Sequence, residues 1–157
     1  MDTTKGVCGL ICEYNPFHFG HEYQLKKLKE QFSAVVCILG GNISQRGEVA
    51  VSDRYVRARA ALESGADLVV ELPAPWCCAS AREFAAGGVF LAKALGVDSL
   101  AFSAESDPAL LYTAAKERKE GEAAIRALMK EEKNLSYPAA AERVLGKTLA
   151  GKPNDIL

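Results

Sequence analysis

Four short apolar runs recur along the chain at intervals of about thirty residues: Val7 to Tyr14, Ala34 to Leu39, Asp67 to Leu72 and Ser99 to Phe102. They are apolar at successive rather than alternate positions, as strands covered on both faces must be, and the middle two are rich in β-branched residues. Between them polar and apolar residues follow helical spacing over His21 to Phe32, Asp53 to Ser64 and Ala79 to Leu95. Gly96 follows the last of these, where a helix end favours left-handed backbone. Strand alternating with helix predicts parallel strands joined by right-handed crossovers, an α/β fold with a doubly wound sheet.

Beyond Phe102 the pattern is helical only. Pro108 to Lys133 predicts a long helix with a solvated centre, which Gly121 divides in two, and Ser136-Tyr137-Pro138 begins another. Serine suits the N-cap and proline the first turn, with Tyr137 as the competing cap. The sequence closes on Lys152-Pro153-Asn154-Asp155-Ile156-Leu157, where an apolar run has just begun, so a cut within a larger protein is the expectation. At 157 residues, one domain over 1–157 is expected, because a chain of this size hides roughly two-thirds of its unfolded surface.

Composition narrows the partners. A net charge of −1, with 25% charged residues, lacks the excess of a purely electrostatic nucleic-acid binder, so any RNA contact needs local charge. No apolar run reaches membrane-spanning length, and Met1-Asp2-Thr3-Thr4-Lys5 has no signal-peptide layout, which predicts a cytoplasmic protein. The five cysteines form no C-x-x-C pair and read as free thiols. Cys77-Cys78 makes a poor metal site, since adjacent side chains point apart, and no protein-held metal is assigned.

The candidate chemistry sits in the first βα connection, Glu13-Tyr14-Asn15-Pro16-Phe17-His18-Phe19-Gly20-His21. In open α/β sheets ligands bind at the carboxyl ends of strands, and a helix N-terminus there presents unpaired amides to an anion. His18 and His21, the only histidines, can donate imidazole N–H groups to phosphate oxygens, while Gly20 removes a Cβ from the approach. The competing account has both rings merely capping the helix and packing on Phe17 and Phe19. A serine or cysteine nucleophile is disfavoured, because no G-x-S-x-G elbow or activated cysteine context is present.

H-x-G-H is the hallmark of the nucleotidyltransferase superfamily, and the sequence resembles one family within it more closely. Glu13 to His21, Gly41-Asn42-Ile43-Ser44-Gln45-Arg46-Gly47-Glu48, Asp67 to Pro73 and Lys152-Pro153-Asn154 together look like the tRNA(Met) cytidine acetate ligase family. The resemblance implies a Rossmann-like, HUP-type nucleotidyltransferase domain with extra C-terminal helices. It also implies an enzyme that uses ATP, with Mg2+, to activate acetate as acetyl-adenylate and acetylates N4 of the wobble cytidine of elongator tRNA(Met). The implied ATP site comprises Ile11, Cys12, Glu13, Tyr14, Asn15, Pro16, Phe17, His18, Phe19, Gly20, His21, Glu22, Tyr23 and Gln24, with Ser103 and Asn154. His18 and His21 would serve catalysis at the phosphates. Where the family reads Phe-Gly-Ser-Glu, this chain reads Phe102-Ser103-Ala104-Glu105, placing a side chain where glycine admits the nucleotide. The rival functions are a small-molecule adenylyltransferase and a non-catalytic nucleotide- or RNA-binding domain.

Asn42, Gln45 and Arg46, in the loop after the second strand, are candidate substrate-binding groups. Arg46 suits phosphate or RNA backbone, or else a surface ion pair with Glu48 or Asp53. Arg54, Arg57 and Arg59 with Lys26, Lys27 and Lys29 read as a solvated helix surface before a basic binding face. Glu83 forms a predicted capping box with Ser80, and Glu71 is open between a structural and a functional duty. Trp76 either stacks on a base or fills a gap between helices.

Overall fold

The computed structural model describes residues 6–104 and 106–146. It contains two compact units, one ending at Phe102 and one beginning at Ser103.

In the first unit β1 (Val7–Cys12), α1 (Phe19–Gln31), β2 (Ala34–Gly40), α2 (Arg54–Glu63), β3 (Leu68–Leu72), α3 (Ala81–Ala94) and β4 (Ser99–Ala101) follow in order. All pairings are parallel, in the order β3-β2-β1-β4. Both faces of β2 are buried. Val35, Cys37 and Leu39 pack with Leu25 and Leu28 of α1 and Ala61 of α2, whereas Ile38 packs on the opposite face with Phe84 and Ala92 of α3. The predicted doubly wound sheet is therefore present, with α1 and α2 on one face and α3 on the other. Each fully buried aliphatic side chain contributes about 1.5–3 kcal/mol, which is why β2, buried on both faces, carries no polar side chain.

Element ends differ from the sequence expectation where capping decides them. β1 stops at Cys12 because Tyr14 adopts a left-handed φ of 50°. α1 begins at Phe19 rather than His21, since His18 is its N-cap. Asp53 caps α2 through Tyr55 N, and Ser80 and Glu83 form the predicted capping box of α3. Trp76, in a short 3-10 turn, packs against α3, where a Cβ on Gly87 would lie 2.6 Å from its ring, so it fills a gap between elements.

Gly88 sets the distance between α3 and the sheet. A Cβ there would meet Cδ1, Cγ1 and Cγ2 of Ile11 at 2.5, 2.8 and 2.9 Å. Gly88→Ala is expected to destabilise by about 1–3 kcal/mol through overpacking, against about 1 kcal/mol gained in helix propensity. The two midpoints in urea decide it: an unchanged or higher value for the variant would show that the sheet yields.

The second unit holds α4 (Pro108–Glu131) and α5 (Tyr137–Leu145). Gly121 does not divide α4, which is continuous. A Cβ at Gly121 would lie 2.6 Å from Leu145, so the glycine admits α5 instead of breaking the helix. Ser136 is the cap of α5, and the Tyr137 hydroxyl instead donates to Glu122 at 2.6 Å. Ile125, Ala140 and Ala141 form this unit's core.

Candidate nucleotide-binding site

The left-handed turn at Tyr14 drives its ring into the core, where the hydroxyl lies 3.5 Å from Cys37 Sγ. Burial pushes the phenol far above its ordinary range, so it stays neutral. Phe17 meets Tyr14 edge-on with ring centres 4.9 Å apart, and His21 rests on both, 4.7 Å from Tyr14 and 5.6 Å from Phe17. His18 stacks on His21 at 3.7 Å. The aromatic support thus comes from Tyr14 and Phe17; Phe19, the expected partner, is 88% exposed.

The two imidazoles share one hydrogen-bonding logic. His18 Nδ1 accepts from Gly20 N at 3.1 Å, and His21 Nδ1 accepts from His18 N at 3.3 Å. A neutral ring whose Nδ1 accepts carries its proton on Nε2, so each ring keeps an Nε2–H as its donor. Capping and anion binding are therefore compatible: capping uses Nδ1 and leaves the other nitrogen. Gly20 has a local reason too, because a Cβ there would approach the His18 ring within 3.0 Å.

Burial, then the proximity of His18, pulls the His21 pKa down to about 4. Its depressed value means the unfolded chain takes up this proton first. Its contribution to stability is complete above about 6.5 and is lost progressively as pH falls from there to about 4. Between about pH 4.5 and 6.5 the melting temperature of His21→Gln should therefore fall less steeply than the parent's. Parallel curves would contradict the shift.

The second loop is stitched to the first. Glu13 Oε1 accepts from Gln45 N and Asn15 Oδ1 from Val51 N, both at 2.7 Å. Both loops leave the carboxyl ends of neighbouring strands, so the structure brings Gln45 to the edge that carries the histidines. Asn42 has an inward duty: its Oδ1 accepts from Arg54 N at 2.8 Å and its Nδ2 donates to Asp53 at 3.0 Å. Gln45 offers its backbone to Glu13, while Arg46 is exposed and makes no ion pair with any described residue. Glu71 pairs with Arg54 at 3.0 Å.

Arg57 departs from the solvated surface expected of it. It is 1% exposed and donates to four backbone carbonyls: Nε to Ser52 (3.0 Å), Nη1 to Glu13 and to Gly40 (3.1 Å), and Nη2 to Gly41 (2.6 Å). Its position four residues before buried Ala61 on α2 was the available signal that it faces inward. The lysines keep to the surface as expected, Lys26 paired with Glu22, Lys27 with Glu30 and Lys29 with Asp67.

Within the implied ATP segment, Ile11 packs against α3 and Tyr14 is buried, so these two could offer a ligand only their backbone. Tyr23 is exposed, and Gln24 is partly buried. Ser103 is the first residue of the second unit, and Asn154 lies outside the described residues. Among the described residues no cluster of three or more His, Cys, Asp or Glu could hold a metal ion. No helix among them is long and apolar enough to cross a membrane.

The chain is 44% identical over 154 residues to the tRNA(Met) cytidine acetate ligase of Acetivibrio thermocellus, covering 94% of this chain and 37% of that protein. It is 39% identical to the one from Bacillus velezensis, over 95% of this chain and 39% of that protein. The crystal structure of Thermotoga maritima TmcAL bound with alpha-thio ATP superposes with a TM-score of 0.79 at 34% identity, covering 96% of this chain and 41% of that one. Its apo form gives 0.82 at the same identity, over 97% and 40%. The chain thus spans about two fifths of the length of these relatives. The family model described as HIGH Nucleotidyl Transferase matches residues 5–157, and with the H-x-G-H turn standing at the head of α1 the chain belongs to that nucleotidyltransferase family.

Proposed function

We propose that residues 1–157 are the nucleotidyltransferase-like catalytic part of a cytoplasmic, ATP-dependent tRNA(Met) cytidine acetate ligase. The observation that carries the reading is the stacked histidine pair at the head of α1, each ring with Nδ1 engaged and Nε2–H left to donate. The names of the relatives, and the alpha-thio ATP bound to one of them, supply the substrates.

In the proposed reaction a carboxylate oxygen of acetate attacks the α-phosphorus of ATP in line. The bond to the bridging oxygen breaks, and pyrophosphate leaves acetyl-adenylate behind. N4 of the cytidine then attacks the acetyl carbon, AMP departs, and N4 gives up one proton. His18 and His21 bind the phosphates and stabilise charge growing on the leaving group, donors fixed before the reaction begins. His21 does so as a neutral ring at pH 7, given its lowered pKa. Residues 11–24 line the nucleotide, and Gln45 and Arg46 are the groups that would meet the acceptor. Mg2+, arriving with ATP, would supply neutralisation of charge on the phosphates.

The test is exchange of labelled pyrophosphate into ATP by the full-length protein. Exchange that requires acetate supports acetyl-adenylate formation. Exchange that requires a phosphorylated cofactor precursor instead would identify a small-molecule adenylyltransferase, and ATP binding without any exchange a non-catalytic domain.

A further inference from the structure

Three segments that form the candidate site leave different elements, and one buried side chain joins them. Glu13 follows β1 and opens the turn to His18. Gly40 and Gly41 carry β2 into the 42–53 loop, and Ser52 precedes the cap of α2. Arg57 donates to the carbonyl of each of these four residues. Its partners are carbonyls throughout, and it makes no ion pair with any described residue.

A charged guanidinium taken out of water needs a compelling set of acceptors. Here the set consists of carbonyls at two strand ends and a helix entrance. A planar fork reaches acceptors in several directions at once, which an ammonium on a flexible stem cannot. The clamp leaves the two loops little freedom to separate, and the Glu13–Gln45 and Asn15–Val51 bonds close the remainder.

From this geometry we infer that Arg57 is a positioning residue for nucleotide binding: by tying the exits of β1 and β2 to the start of α2, it holds the His18-His21 turn in its ligand-ready form. The inference rests on the reading of that turn as the phosphate site. It assigns Arg57 no contact with ATP.

Arg57→Lys is the informative substitution, with Arg57→Gln as a second variant, because both keep a donor in the cavity. Val35→Ala, at the opposite end of β2, serves as a generally destabilised control. ATP titration calorimetry on the full-length protein would be run at a temperature where circular dichroism shows each variant folded. Nitrogen-detected histidine spectra without ATP would report the ring tautomers.

The expected result is ATP affinity at least tenfold weaker in Arg57→Lys, and mixed histidine tautomers replacing the Nε2–H form. Val35→Ala should keep both properties within twofold of the parent at an equal or larger loss of melting temperature. Parent-like affinity and tautomers in a folded Arg57→Lys or Arg57→Gln protein would overturn the inference. Equal losses in Val35→Ala, or failure of both Arg57 variants to fold, would also overturn it by making Arg57 a structural residue only. If the parent itself does not bind ATP, the phosphate-site reading fails, and with it the ligand assigned to Arg57's role. The tautomer spectra then still decide whether Arg57 orders the turn.

Discussion

His21→Ala is expected to weaken ATP binding about 10- to 150-fold, the range that follows from losing a hydrogen bond to a charged group worth about 1.5–3 kcal/mol. If the donor also meets charge that develops on leaving pyrophosphate, turnover should fall by about 10²–10³, as for other fixed donors to a developing anion. The fold has reason to survive. His18 caps α1 through its own Nδ1, and Tyr14 is anchored beneath the turn at Cys37. The variant loses the ring nitrogens, Nε2–H toward the ligand and the Nδ1 acceptor of His18 N, and also the ring stacked between His18 and the Tyr14–Phe17 pair. His21→Asn separates the two losses, because it restores a polar group without the stack. Calorimetry on parent and variants, with melting curves as the folding check, measures this. Parent-like affinity in a folded His21→Ala protein would remove the phosphates from this turn.

The largest stability effect is expected at Arg57→Ala. Removing the guanidinium strips donors from four carbonyls at once. A buried polar group left without its partner costs about 1–3 kcal/mol, so four carbonyls left dry would cost at least about 4 kcal/mol. Against a total stability of about 5–15 kcal/mol for a typical domain, this brings the first unit close to unfolding at room temperature. Replacing both members of a buried polar arrangement by apolar groups can be harmless, but backbone carbonyls cannot be replaced, so the usual escape is closed. An unfolding free energy in urea within about 1 kcal/mol of the parent would mean that water enters the clamp and replaces it.

These two residues show how differently a site is written in a chain. His18, Gly20 and His21 could be found by reading, because the spacing coincides with a strand exit and a helix entrance, and local geometry dictates what a helix N-terminus offers. Glu83 was legible for the same reason: the capping box with Ser80 is a contact between residues three apart. The four strands and the doubly wound arrangement followed from apolar runs at successive positions, a pattern that burial on both faces demands of β2 and that the partly exposed edge strands β3 and β4 largely keep. Two of the glycines were read by a local rule that the structure qualifies. Gly96 does end α3 in left-handed backbone, but Gly121 lies within a continuous helix and serves a neighbour instead.

Contacts between residues distant in the chain stayed hidden until the fold existed. Arg57 looked like one more charge on a basic helix, and only the meeting of Glu13, Gly40 and Gly41 beside α2 makes its burial favourable. Asn42 looked like a ligand for substrate, and the fold uses both ends of its amide on Asp53 and Arg54. Which nitrogen of each histidine is left to donate was by contrast a local matter, decided by the amides of Gly20 and His18 within the same turn. The sequence by itself determined the element types, the sheet's character and the location of the H-x-G-H turn at the head of α1, because periodicity and capping act over a few residues. Tertiary structure alone decided which polar groups face a ligand and which hold the loops, because burial and hydrogen-bond satisfaction depend on neighbours that the chain brings together only on folding.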